Sequence, residues 1–519
     1  MKNSCAKDVD KTAKASFQML EDMFEENRYL FSRDSTFGYY VLSSLGLVLR
    51  NDQYGVSSFI RLFELDGECY KPFLNFFRSD AWELDKLTGK WAHKIINSNL
   101  LYKTGDRPLF IIDGVKEPKE ARRQPCVNIL HQESGDGSKK EFIRGHLFGC
   151  VGLLIGNDDN QFSCPITLRI QGSEGIIRTW IEEKKIKEQQ SNAENSDVEN
   201  KVNEFFYDAN KEPSHVVLNI RDACLIAERE GVKCYCAADA YYFSGPVLNE
   251  LKEHMRDDNT QWIDIITRGR KDCKAYRQVG KKVKSVELID VFDEKKSAFK
   301  DVVLNLYGKD ETVSYYSERM LWNRKKEYRT EILFVFTVID NKKVFLCTTD
   351  LTMDPELVIK IYTKRFKIET GFRSLKSELN GFGYHFWTKA MTKISVKATA
   401  EENREALKAD GEASKENKDL ILDTFKAMEA FVNLTAIGMG MLQIVSLTNT
   451  DEIEKLKRWQ VTYRDGCPSE ATVADILAKA LPEYKKMYPN SLIAACLNAI
   501  EAKPEVKERS SKTKDASAK

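Results

Sequence analysis

Residues 354–379 read DPELVIKIYTKRFKIETGFRSLKSEL, and this stretch decides the fold. Asp354 followed by Pro355 is a pair preferred at the start of a helix, and the spacing predicts one long helix from Asp354 to Leu379. The apolar positions form one stripe, which comprises Ile361, Ile368, Phe372, Leu375 and Leu379. A polar row lies beside it within an arc of roughly 60° and comprises Tyr362, Arg365, Glu369 and Lys376. Packing the stripe on a sheet would turn the polar row towards the strand ends, although an ordinary helix boundary shows the same pattern.

Upstream of this helix, short apolar runs separated by turn residues predict the strands of one sheet. They are LFIIDGV, GHLFGCVGLLIG, CPITLRI, CYCAADAYYF and QWIDIITRGR, with helices in HVVLNIRDACLIAEREGV and GPVLNELKEHM. Asp113 and Asp239 stand at the ends of two of these runs. A carboxylate just beyond a buried strand is held near the sheet edge, where two can converge on one cation. For either aspartate alone, a turn or helix cap explains the residue as well.

The composition is that of a globular chain without a strong overall field. Of 519 residues, 42% are hydrophobic and 31% charged, and 80 Lys plus Arg against 79 Asp plus Glu leave a net charge of +1. A nucleic-acid partner must therefore be met by local basic patches. Twelve cysteines without zinc-type CxxC pairs predict reduced, buried thiols.

Two segments bear on location. The N-terminal MKNSCAKDVDKTAKASF has no apolar core of the secretory kind, which predicts a protein that stays in the cytoplasm. The most apolar window, residues 430–445, is interrupted by Asn433, Thr435 and Gln443 and predicts a buried helix rather than a membrane span.

Three carboxylates from separate segments, Asp113, Asp239 and Glu369, would make a hard oxygen site for Mg²⁺ or Mn²⁺. A pair of such ions serves phosphoryl transfer on nucleic acid. Basic residues mixed with aromatics in RGRKDCKAYRQVGKKVK and WNRKKEYR suit DNA contact, although a solvated hairpin with charged edges is equally consistent. His146 could stand near the Asp113 strand as an accessory group, or simply be a core or turn histidine.

The polar row of the 354–379 helix matches without a gap the Y-R-E-K pattern of bacterial insertion-sequence transposases with a DDE catalytic site. IIDGVKEPKEARRQ with LHQESGDGSKKEFIRGHLFG resembles the first-aspartate block of that family, and AADAYYF resembles its second. The resemblance covers about residues 107–379. It departs from the family at Gly114, where many members carry a second aspartate.

The resemblance implies an α/β, RNase H-like fold: a mixed sheet flanked by helices, interrupted by a β-rich insertion. The expected division is a helical N-terminal domain that could bind DNA ends (1–104), the first part of the catalytic core (105–268), the insertion (269–347), the core with the Y-R-E-K helix (348–390), a helical region that could dimerise (391–502) and a charged tail (503–519).

Carried over residue by residue, the resemblance makes Asp113, Asp239 and Glu369 the catalytic, metal-binding triad for two Mg²⁺ or Mn²⁺ ions. Tyr362, Arg365 and Lys376 would hold phosphates near the cut. The remaining expected DNA contacts are Phe366, which could stack on a base, and the cations Lys364, Arg373, Arg268, Arg270 and Lys271.

The implied function is cut-and-paste transposition by a homodimer acting on double-stranded DNA, namely the terminal inverted repeats of the element and a target. Such a protein would be associated with the nucleoid and not with a membrane. Two alternatives stay open: a domesticated DNA-binding protein without catalysis, and an RNase H-like nuclease without joining activity.

Overall fold

The structure is a computed structural model that describes residues 2–52, 55–132, 141–191, 213–270, 272–323, 325, 329–339, 342–456 and 466–502. As predicted, the chain before the first strand is helical. Its helices are α1 (Lys2–Glu25), α2 (Asp34–Leu49), α3 (Ser57–Phe63), α4 (Tyr70–Arg78) and α5 (Leu84–Ile96). The expected charged tail, 503–519, lies outside the described residues.

The first half of the sheet is mixed, as expected of an RNase H-like core. Its strands are β1 (Lys103–Thr104), β2 (Arg107–Pro118), β3 (Asn128–His131), β4 (Phe142–Gly156), β5 (Gln161–Gln171), β6 (Cys234–Ala237) and β7 (Ile263–Arg268). β2, β4 and β5 form an antiparallel meander, and β6 and β7 continue in parallel on the other side of β2. The fold is thus α/β with a mixed sheet, and the predicted strands are confirmed.

Three helices accompany this half of the sheet. They are α6 (Gly175–Ser191), α7 (His215–Glu230) and α8 (Gly245–Glu253). α7 contacts β2 and β4, so it covers the strand that carries Asp113. Both predicted helices, α7 and α8, are confirmed. The charged segment EEKKIKEQQSNAENSDVENK, residues 182–201, is predicted by its composition to be an exposed helix end or a mobile linker; it begins inside α6 and then passes outside the described residues.

The β-rich segment extends the same sheet. It contains β8 (Lys274–Val279), β9 (Lys282–Glu287), α9 (Val291–Glu294), β10 (Lys300–Leu306), β11 (Lys309–Trp322), β12 (Thr330–Ile339) and β13 (Lys342–Thr348). β13 pairs antiparallel with β7, and the order continues as β12-β11-β8-β9, with β10 on the other edge of β11. The expected β-rich excursion is therefore joined through β7 to the strands that lead to Asp113 and Asp239 by backbone hydrogen bonds.

The most apolar window lies in the core, as predicted. The C-terminal helices are α12 (Ala400–Glu412), α13 (Lys415–Thr448), α14 (Thr450–Leu456), α15 (Glu470–Met487) and α16 (Leu492–Glu501). α13 is long and apolar enough to cross a membrane, but 89% of its most apolar window is buried inside the protein. Its polar residues are satisfied there: Asn433 accepts a bond from the Leu168 amide (2.8 Å) and donates to the Leu168 carbonyl (2.7 Å).

The helix of residues 354–379 is not the single regular helix expected. Asp354 caps it by accepting a bond from the Glu356 amide (3.1 Å), and α10 (Pro355–Lys364) follows. The turn tightens at Arg365, whose amide bonds to the Tyr362 carbonyl (3.2 Å), before α11 (Phe366–Arg373) and a π-helical turn at Ser374–Glu378. Irregular turns of this kind are frequent at functional sites.

The predicted apolar stripe is confirmed by burial. Ile361, Ile368, Leu375 and Leu379 are at most 4% exposed, and Phe372 is partly buried against the core. This packing explains why the helix keeps one face towards the sheet despite its irregular turns.

Candidate functional site

Asp113 and Asp239 stand side by side at one edge of the sheet. β2 and β6 are parallel, and Ile111 is paired with Ala237. Asp113 and Asp239 each follow two residues later, so both carboxylates emerge at the same level of neighbouring strands. Asp239 also caps the short turn after β6 by accepting a bond from the Tyr241 amide (2.8 Å). The convergence expected of the two strand ends is thus built by parallel pairing.

The Arg365 side chain links Asp113 to Glu369. One guanidinium nitrogen lies 2.6 Å from a Glu369 carboxylate oxygen, and the other lies 3.6 Å from Asp113 Oδ2. Glu369 is therefore turned towards the strand ends, where the third carboxylate was expected. Arg365 supplies the positive charge between the two acids in this structure.

The electrostatics of Asp113 reflect this crowding. Burial, followed by the negative charge of Asp239, raises the pKa of Asp113 to about 7, and Glu369 acts in the same direction. The hydrogen bond from the Gly114 amide to Asp113 (2.7 Å) and the charge of Arg365 oppose this rise without cancelling it. Asp113 is thus a largely buried carboxylate near two further acids, Asp239 and the more exposed Glu369, and this arrangement favours the binding of a cation.

The donor set fits a hard divalent ion. Carboxylate oxygens are the ligands that Mg²⁺ and Mn²⁺ prefer, and a bound cation would relieve the repulsion that raises the pKa of Asp113. Within the part of the chain that the structure describes, no group of three or more Asp, Glu, His or Cys side chains already has the spacing of a ligand set. Asp113, Asp239 and Glu369 would therefore have to draw closer around an ion, with Arg365 displaced from between two of them.

The other members of the polar row contact the same region. Burial raises the pKa of Tyr362. The charges of Arg268 and Arg365 lower this pKa in part, and the charge of Asp239 raises it further. Lys376 donates to the Lys116 carbonyl (2.5 Å) and lies 3.5 Å from Glu117, both on β2. Tyr362 and Arg365 therefore stand beside the carboxylates, whereas Lys376 reaches the later part of β2.

Of the remaining residues expected to contact DNA, some are exposed and Lys364 is paired away from the carboxylates. Phe366 is 48% exposed next to Arg365, and Arg373, Arg268 and Arg270 are also exposed. Lys364 instead bonds to Asp158 (2.9 Å) and lies over the Tyr102 ring, so it faces the β4–β5 turn rather than the carboxylates. Lys271 lies outside the described residues.

His146 is a core residue. It is fully buried and opposite Glu117 in the β2–β4 pair, four positions along β2 from Asp113. Its ring nitrogens contact the Tyr384 hydroxyl (2.6 Å) and the Pro125 carbonyl (2.8 Å), and burial lowers the pKa of His146 to about 4. Its contacts anchor the segment after the π turn to β4. His146 is therefore the core histidine that the sequence left open as an alternative, and not an accessory group beside the carboxylates.

Sequence reasoning missed a buried polar network behind Asp113. Asn219 on α7 donates to the Tyr242 hydroxyl (2.6 Å) and the Asp113 carbonyl (3.3 Å), and accepts from Gln171 (2.6 Å). The network fixes the backbone of the strand end that carries the carboxylate. Its one signal in the sequence is an asparagine within the apolar face of α7, between Val216 and Ile220.

Comparison with known proteins agrees with this geometry. Residues 204–387 match the family model of the transposase DDE domain, a span that contains Asp239 and Glu369 and begins after Asp113. The match covers about a third of the chain, and it indicates that this part is similar to the DDE domain of transposases. No curated protein and no solved structure matches the chain significantly.

Proposed function

We propose that this chain is a divalent-metal-dependent DNA transposase that cleaves the ends of a mobile element and joins them to target DNA. The observation that carries the proposal is the approach of Asp113, Asp239 and Glu369 to one another, with Arg365 between two of them. The family match over residues 204–387 supports the same class of chemistry.

Asp113, Asp239 and Glu369 would hold the metal. Divalent ions bound there would activate the attacking water or 3′-hydroxyl and stabilise the leaving oxygen of the phosphodiester. Asn219 donates to the Asp113 carbonyl and so helps to hold the strand end that carries this carboxylate. In this proposal Asn219 is a positioning residue for the Asp113 carboxylate and takes no part in proton transfer.

Tyr362, Arg365 and Lys376 would bind phosphates of the DNA strand near the cut. The Arg365 guanidinium has five N–H donors, so it can pair with a carboxylate and still donate to a phosphate oxygen. The exposed cations Arg268, Arg270 and Arg373 extend this basic surface around the site. Lys364 is paired with Asp158, and in this proposal it stabilises the helix instead.

The proposal is tested on DNA that carries the inverted repeats flanking the gene. With Mn²⁺ we expect strand cleavage by the wild type, loss of cleavage in Glu369→Gln and retained DNA binding by that variant. Glu378→Gln, which changes an exposed carboxylate on the same helical segment, is the matched control and should cleave normally. A wild type that binds the repeats but never cleaves them would favour a domesticated binding protein.

Joining is tested separately. Pre-cleaved ends with a free 3′-hydroxyl should be transferred into a supercoiled plasmid by the wild type. Cleavage without transfer products would leave a nuclease of the same fold. The light-scattering mass of the protein with and without the ends shows whether two copies assemble on paired ends, as we infer.

A further inference from the structure

The segment that carries Lys376 is a π-helical turn, Ser374–Glu378. The Leu379 amide donates to the Ser374 carbonyl (2.9 Å), five residues back, where an α-helix would bond four residues back. In this turn Lys376 reaches the Lys116 carbonyl of β2 (2.5 Å). Each residue of a helix turns the chain by about 100°, so one extra residue in a turn redirects its side chains. The direction of Lys376 therefore depends on whether the π turn is kept.

The C-terminal helices hold the start of the π turn. The turn packs against α13 and α15, and the Ser374 hydroxyl donates to the Glu470 carboxylate (3.3 Å). Glu470 is the first residue of α15, and its other carboxylate oxygen accepts a bond from the Gln443 amide of α13 (2.7 Å). Three segments that are separate in the chain thus meet at one carboxylate.

The Glu470 carboxylate lies in the interior of the protein. Glu470 is 4% exposed, and Gln443 is fully buried. A buried carboxylate is costly unless its oxygens accept hydrogen bonds, and Gln443 and Ser374 supply such bonds here. Loss of the carboxylate would deprive both donors of this acceptor and would release the start of the π turn.

The N-terminal helices hold the end of the same turn. Arg50, which follows α2, donates through one guanidinium nitrogen to the carbonyls of Leu379 (3.0 Å) and Asn380 (2.8 Å). The last carbonyls of a helix have no partner within the helix, and a cationic side chain near them satisfies them. The π turn is therefore held at both ends by residues outside the span that matches the DDE domain.

We propose that Glu470, acting through Ser374, is a positioning residue that keeps the π turn and thereby directs Lys376 to its phosphate, while Arg50 holds the other end. The inference rests on the proposed function, in which Lys376 binds phosphate, and it gives the C-terminal helices a part in building the site. Glu470 and Lys376 then act on DNA binding as one unit. Replacing either residue removes the same phosphate contact, and replacing both removes no more.

The test is a double-mutant cycle on DNA binding, measured in EDTA so that catalysis is not involved. Fluorescence anisotropy with a labelled duplex of the element end gives Kd over a KCl series for the wild type, Lys376→Ala, Glu470→Ala and the double variant. Each single variant should lower the slope of log K against log[salt] by about 0.9. This change removes roughly 3- to 4-fold of the affinity lost between about 50 mM and 200 mM KCl. The double variant should have the slope of the single variants.

Two milder variants keep the test independent of folding. Ser374→Ala removes only the hydroxyl that links the π turn to Glu470, and it should lower the slope as Glu470→Ala does. Glu470→Gln keeps an oxygen that accepts from Ser374. After a flip of the Gln443 amide, the new side chain can also donate to Gln443 Oε1, which is buried without a hydrogen-bond partner among the described residues. Glu470→Gln should therefore retain the wild-type slope.

Two control variants separate positioning from stability, and all variants are measured below their unfolding transitions. Glu483→Ala changes an exposed carboxylate on α15 and should bind DNA as the wild type does. Glu429→Gln removes a buried ion pair that lies roughly 20 Å along α13 from Gln443. It should lower Tm without changing the slope.

A wild-type slope in both Glu470→Ala and Ser374→Ala would overturn the inference, and so would a double variant whose slope falls by the sum of the two single losses. If Lys376→Ala still lowers the slope, the phosphate contact of the proposed function stands without the positioning role. A wild-type slope in Lys376→Ala would overturn that contact and the inference with it. A wild type that binds no DNA would overturn the proposed function as a whole.

Discussion

Replacement of Asp113 by asparagine should stabilise the metal-free protein at neutral pH. Asparagine has the shape of aspartate but no charge, so it removes the repulsion that Asp113 experiences from Asp239 and Glu369. It also removes the unfavourable burial of a carboxylate, the larger cause of the raised pKa of Asp113. A carboxylate kept for cation binding is thus a source of instability when no cation is bound.

The magnitude follows from the two pKa values. The pKa of Asp113 is about 7 in the folded chain against an ordinary 3.8, so the folded state keeps a proton that the unfolded state has already released. The associated stability is fully present below the unfolded value and is lost as pH rises through the folded one. At about 1.36 kcal/mol per pH unit, the wild type should lose roughly 2–3 kcal/mol between about pH 5 and about pH 7 that Asp113→Asn does not lose.

The assay is thermal unfolding of both proteins in EDTA across this pH range. Asp350→Asn is a control of opposite sign. Burial acts to raise the pKa of Asp350, but hydrogen bonds from Thr352 and Tyr235 and the charge of Arg107 outweigh it, and the pKa is lowered. Asp350→Asn should therefore be less stable than the wild type at neutral pH, and the difference should shrink as pH falls through the folded pKa.

A difference in Tm between Asp113→Asn and the wild type that does not grow with pH would refute the reasoning, because repulsion among ionised carboxylates must increase as they ionise. Mn²⁺ provides a second check. It should raise the Tm of the wild type at neutral pH and raise that of Asp113→Asn less, since a ligand stabilises only the state that binds it.

Three further outcomes are expected. Arg365→Ala and Lys376→Ala should weaken DNA binding, and each should lower the slope of log K against log[salt] by about one, because a phosphate contact is lost. Fluorescence anisotropy over a KCl series measures this slope. An unchanged slope in both variants would exclude phosphate binding by these residues. Glu429→Gln should destabilise the protein by about 3–5 kcal/mol because it leaves Arg178, bonded at 2.6 Å, without its buried partner; a Tm equal to that of the wild type would contradict this. His146→Gln should lower Tm but leave the pH profile of cleavage between about pH 6 and pH 9 unchanged, since burial lowers the pKa of His146 to about 4.

Local pattern was sufficient for most of the fold. Helix-period and alternating apolar residues predicted the N-terminal helices, the strands around Asp113 and the buried window of α13, because these periods reflect which side of each element meets the core. The polar row of residues 354–379 led to the candidate site for the same reason: residues on one helix face point the same way wherever that helix packs, although Lys376, in the π-helical turn, reaches the later part of β2 instead.

Only the tertiary structure decided how these parts meet. The pairing of β13 with β7, the bridge of Arg365 between Asp113 and Glu369, the Asn219 network and the burial of His146 all join residues far apart in the chain. No local periodicity encodes such contacts, since they depend on which surfaces of separate elements pack together and on the charge and solvent that this packing leaves around each side chain. The sequence by itself determined the helices, the strands and the reactive side chains, and packing determined which residues surround each of those side chains.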